Sequence, residues 1–107
     1  MNEQPVVEVA LFRLKPDVAD DAFLRGAALI QRHLDQLNGY ISRELVKAPD
    51  GQWVDIIHWA NLEAAQNAEA VILADTNAAP FFEMIDESQA QMIYANTVQV
   101  YPARQTA

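Results

Sequence analysis

Residues 5–15, Pro-Val-Val-Glu-Val-Ala-Leu-Phe-Arg-Leu-Lys, are apolar on both sides of an extended chain. Val6, Glu8, Ala10, Phe12 and Leu14 fall on one face, and Val7, Val9, Leu11 and Arg13 on the other. Such a strand needs cover above and below, which places it in the middle of a sheet. Pro16 and Asp17 end it.

The rest of the chain supplies the cover. Residues 18–37 read as a helix whose stripe is Phe23, Ala27, Ile30, Leu34 and Leu37. Asp17, Asp20 and Asp21 are expected to supply its cap and acidic first turn. Asn38-Gly39 provides a left-handed stop. Residues 40–48 and 53–60 read as strands joined by Pro49-Asp50-Gly51-Gln52, a hairpin signal. A two-residue turn centred on Asp50-Gly51 sets Leu45 opposite Ile56, Arg43 opposite His58 and Ser42 opposite Trp59. Asn61 is a cap for a helix from Leu62 to about Leu73, with Ala64, Ala65, Ala68, Val71 and Ile72 inward. Pro80 opens a short helix with Phe81, Phe82 and Ile85 inward. Residues 91–101 form the last strand, and Pro102 closes it.

The order β-α-β-β-α-β predicts an α+β, ferredoxin-like fold: a four-stranded antiparallel sheet with the first and third strands central and helices on one face. With 107 residues, the chain reads as a single domain spanning 1–107. The uncovered face still carries large apolar side chains, so a homodimer packed sheet against sheet is expected.

Charge narrows the partners. Seven basic and 15 acidic side chains give a formal net charge of −8. That opposes binding to nucleic acid or to an anionic membrane surface, which both need a basic footprint. Without cysteine there is no disulfide, thiolate metal site or cysteine nucleophile. No apolar run spans a membrane, and Met1-Asn2-Glu3-Gln4-Pro5 lacks the basic, apolar start of a signal peptide, so a cytoplasmic location is expected.

Few residues carry chemistry. Asp55 is an acid inside an apolar strand, between Trp53 and Ile57. Buried, it must be paired, hydrogen-bonded or protonated, and a raised pKa makes it a general base. Alternatively it faces water or a partner subunit. His58 is the second proton acceptor near neutral pH, or an ordinary half-buried strand residue. His33 lies on the flank of the first helix, and two histidines are too few for a zinc site. Tyr94 and Asn96 share a face of the last strand and suit orientation of a phenol. Trp59 and Phe82 offer apolar surface to a flat ligand. Gly26, Gly39 and Gly51 are isolated, so there is no phosphate loop.

The run Asp55-Ile56-Ile57-His58-Trp59-Ala60-Asn61-Leu62-Glu63-Ala64 resembles the third strand and following helix of the dimeric α+β barrel group, most of all its antibiotic-biosynthesis-monooxygenase-like domains. Gly39-Tyr40 and Ala79-Pro80-Phe81-Phe82 resemble two further short motifs of that group. The resemblance implies a dimer of ferredoxin-like subunits. It implies Trp59 near the substrate, with Asp55 where some members carry Asn. Some members of that group oxidise polyaromatic phenols or quinols without metal or flavin, while others degrade haem, isomerise lactones or have no known activity; for this chain no cofactor is expected. The haem-degrading branch uses a histidine where Ala68 and Glu69 stand and an early Asn that Val9-Ala10-Leu11 lacks, so the resemblance stops short of haem.

The functional expectation is a dimer that binds a small, flat, apolar organic molecule, with monooxygenase chemistry at Asp55 or His58. The competing expectation is a non-catalytic ligand-binding or stress-associated dimer of the same fold.

Overall fold

The computed structural model describes residues 4–104. Its elements are β1 (Val6–Phe12), α1 (Asp20–Leu34), β2 (Tyr40–Lys47), β3 (Trp53–Trp59), α2 (Leu62–Ala74), α3 (Ala79–Glu83) and β4 (Gln91–Asn96), with single 3-10 turns at Thr76–Ala78 and Glu87–Gln89. The strands form one antiparallel sheet in the order β2-β3-β1-β4, so β1 and β3 are central as expected. The architecture is α+β and ferredoxin-like.

The apolar stripe of α1 buries Phe23, Ala27, Ile30 and Leu34 on the sheet. Phe23 anchors an aromatic cluster, with ring centroids 5.5 Å from Phe12, 5.0 Å from Trp53 and 5.1 Å from Phe81. Each such pair contributes about 0.5–1.5 kcal/mol beyond area burial. On α2 the inward residues are Ala65, Ala68 and Ile72. Small side chains let this helix stand close to the strands. At Gly39, φ is +85°, and a Cβ there would lie 2.5 Å from that of Ala64. Only glycine fits both the left-handed backbone and that approach.

Four local expectations are corrected. The N-cap of α1 is Ala19, with no side-chain hydrogen bond, so the aspartates enrich the first turn without capping it. That helix ends at Leu34, before Leu37, because the chain turns at once toward Gly39. Val71 is 45 % exposed, outside the buried side of α2. The last strand stops at Asn96, and residues 97–104 form no ladder.

The hairpin is shifted by one residue. Ala48 N–H donates to the Gln52 carbonyl at 2.7 Å, and Gly51 N–H to the Ala48 carbonyl at 3.0 Å. The loop is therefore three residues, Pro49-Asp50-Gly51, with Gly51 left-handed at φ +94°. Leu45 then pairs with Asp55, Arg43 with Ile57 and Ser42 with His58, and an irregularity near Ile41 brings Tyr40 opposite Trp59. A one-residue slip exchanges the two faces of a strand. Arg43 therefore joins Asp55 on the helix side, and Glu44 and Ser42 do not.

Candidate functional site

A cavity of about 340 Å³ lies between the sheet and its helices. Apolar walls come from Ile30 and Leu34 on α1, Ile72 on α2 and Phe81 and Phe82 on α3. The floor is the helix-facing side of the strands, where Ala10, Phe12 and Ile57 surround a small polar group. The polar side chains there are Glu8 from β1, Arg43 from β2, and Asp55 and Trp59 from β3. Alternation dictates this set: Asp55, Ile57 and Trp59 share one face of β3, and the register adds Glu8 and Arg43 from either side.

Arg43 and Asp55 form a buried ion pair, their side chains only 7 % and 10 % exposed. The guanidinium donates from Nε to Oδ1 at 2.9 Å and from Nη2 to Oδ2 at 2.7 Å. Its Nη1 donates to the Ala27 carbonyl of α1 at 3.1 Å, which ties sheet to helix. Both Asp55 oxygens are thus engaged. The buried Trp59 donates from Nε1 to Glu8 Oε1 at 2.9 Å. Burial pushes the Glu8 carboxyl above its ordinary range; nearby Asp55 and Glu69 add to this, while the Trp59 hydrogen bond and Arg43 act against it. Tyr94, paired with Glu8 across β1 and β4, donates its hydroxyl to Glu69 Oε2 at 3.0 Å. Burial first, then that bond to Glu69, pushes the Tyr94 hydroxyl above the normal tyrosine range.

The structure brings together Asp55, Trp59 and Phe82, with Tyr94 beside them through Glu69. Two other expected site residues lie elsewhere. His58 is exposed on the opposite face of the sheet, because it alternates with Trp59. Asn96 sits at the exposed end of β4 and donates to the Pro5 carbonyl at 3.0 Å. Glu8 and Arg43 were not among the expected site residues. Glu8 carried the same signal as Asp55, an acid within an apolar strand. Arg43 was hidden by the register. Among the described residues no three His, Asp or Glu side chains gather as a metal site, and no helix is long and apolar enough to cross a membrane.

By sequence, no family model matches the chain, and no curated protein is significantly similar to it. Solved structures are similar in shape. SnoaB, a cofactor-independent oxygenase from Streptomyces nogalater, superposes with a TM-score of 0.75 at 18 % identity, covering 94 % of this chain and 99 % of that one. This chain therefore shares the fold of SnoaB. Rv0793 from Mycobacterium tuberculosis gives 0.69 at 16 % identity over 92 % and 99 % of the two chains. An antibiotic biosynthesis monooxygenase gives 0.67 at 16 % identity over 88 % and 99 %.

The raised Glu8 pKa fixes a sign. Between the ordinary carboxylate range near the reference value of 4.5 and the higher folded value, the folded chain holds a proton that the unfolded chain has released. Glu8 therefore lowers stability as pH rises through that window. Glu8→Gln is expected to gain stability relative to wild type across it, read from urea unfolding of both proteins at a series of pH values. A difference that does not change with pH contradicts the assignment.

Proposed function

We propose that the cavity binds a flat, largely apolar phenol or quinol, and that the protein is a cofactor-independent monooxygenase in which the electron-rich ligand itself reduces dioxygen. The observation that carries this reading is the buried Trp59, hydrogen-bonded to Glu8 above the Arg43–Asp55 pair, under walls of aliphatic and aromatic side chains. Its volume suits a small ligand, since such sites run to about 300–1,000 Å³. The shape likeness to SnoaB supports the reaction class. Asp55 and Arg43 fix the floor, Trp59 and Phe82 exclude water, and Tyr94 orients the ring from the side.

A non-catalytic ligand-binding dimer is the second reading. It is favoured by the state of the two expected proton acceptors: Asp55 already accepts two hydrogen bonds from Arg43, and His58 faces away. Oxygen uptake with a panel of quinols, corrected for autoxidation, separates the two. The monooxygenase reading expects turnover that falls about tenfold or more in Trp59→Ala and Asp55→Asn and stays within about twofold in His58→Ala. Quinol binding without catalysed uptake in the wild type leaves the binding protein.

We further propose a homodimer formed through the outer sheet face. Val9, Ile56 and Ile93 lie in one cross-strand row there, and Ile93 is 56 % exposed. Val98, Val100 and Tyr101 extend the exposed apolar surface beyond β4. Contiguous surface of this kind marks an interface. Sedimentation equilibrium at micromolar concentration is expected to give twice the chain mass, and Ile93→Asp to shift it toward one chain. A well-folded wild-type monomer contradicts the proposal.

A further inference from the structure

We propose that Glu8 recognises the ligand, its free Oε2 accepting a hydroxyl hydrogen, so that the cavity takes neutral or cationic hydroxylated aromatics and refuses aromatic acids. The inference rests on the reading of the cavity as a flat-aromatic site and names the substrate class for it.

The hydrogen bonds of the floor lead to Glu8. Asp55 has no free oxygen, since Arg43 reaches both. Glu69 takes the Tyr94 hydroxyl on Oε2 and is exposed at the mouth. Glu8 is half-buried at the centre of β1, and its Oε1 accepts from Trp59. Among the described residues, no donor reaches its Oε2. A carboxylate oxygen in an apolar cavity has lost part of its hydration, and a ligand O–H restores a partner. Burial holds the Glu8 carboxyl above its usual range. A donor from the ligand stabilises the charged form where the protein leaves it under-solvated.

The charge around the cavity gives the exclusion. Four acids line it, Glu8, Asp55, Glu69 and Glu87, against one base, Arg43. That base is spent on Asp55 and the Ala27 carbonyl. An anionic ligand would therefore be desolvated beside carboxylates with no cation left to meet it. Repulsion of this kind discriminates as effectively as attraction. The charged groups acting on Glu8 are Asp55 from β3, Arg43 from β2 and Glu69 from α2; Tyr94 stands opposite it on β4, and Glu87 lines the same cavity.

Isothermal titration with 2-naphthol and 2-naphthoate, which share one ring system, tests this on the purified chain. At about pH 8 the wild type is expected to bind 2-naphthol about tenfold or more tightly than 2-naphthoate. In Glu8→Gln that preference is expected to fall below about threefold, mainly by admission of 2-naphthoate. In the wild type alone, 2-naphthoate is expected to bind more tightly as pH falls toward the ordinary carboxylate range, because burial raises the Glu8 carboxyl above that range and it takes up its proton while the ligand is still ionised. That arm does not depend on the variant's folding. Equal or tighter binding of 2-naphthoate by the wild type, an unchanged preference in folded Glu8→Gln, or pH-independent 2-naphthoate binding each overturns the role of Glu8. Failure of the wild type to bind either probe overturns the flat-aromatic reading itself.

Discussion

Two charges buried together hold this fold in its register. Arg43 and Asp55 meet through a two-pronged contact across β2 and β3, and Arg43 also grips the backbone of α1. Taking one partner away from such a pair costs about 3–5 kcal/mol, because the other stays buried and uncompensated. A slip of the hairpin by one residue would do the same, sending Arg43 to the outer face and leaving Asp55 alone inside. The three-residue loop ending at Gly51 and the ion pair therefore enforce one and the same alignment.

That alignment makes the cavity floor. Once Arg43 neutralises Asp55, the remaining inward polar groups of the central strands are Glu8 and the Trp59 indole, which bond to each other through Glu8 Oε1. The apolar walls come from α1, α2 and α3. Close approach at Gly39 and Ala64 seats α2 against the sheet, and the larger Ile72 and Phe82 line the cavity. The outer face is left to the apolar row through Val9, Ile56 and Ile93, with His58 among it. Site and proposed interface thus lie on opposite sides of one sheet, and β3 serves both by alternation.

The layout of the fold was legible because periodicity is local. The stripe from Phe23 to Leu34, the Asn61 cap and the double-faced first strand place α1, α2 and β1 without long-range information. The site was legible only as far as alternation reaches. Asp55 and Trp59, four residues apart on one strand, were found together on the helix side. Arg43 was not, because its face depends on whether the loop holds two residues or three, and Asp50-Gly51 serves both. His58 and Asn96 attracted functional readings by residue type, yet alternation and a strand end place them away from the cavity. Glu8 was visible as an acid among apolar neighbours. Its significance depends on Trp59 across the sheet, 51 positions away in the chain.

The most direct test is a double-mutant cycle on the ion pair, read by urea unfolding of Arg43→Leu, Asp55→Leu and the double variant. Each single change is expected to cost about 3–5 kcal/mol, and the double variant to cost less than the two together, a coupling of about 2 kcal/mol or more. Single changes that cost under about 1 kcal/mol, or losses that simply add, would contradict the claim that this pair fixes the hairpin and the floor of the cavity.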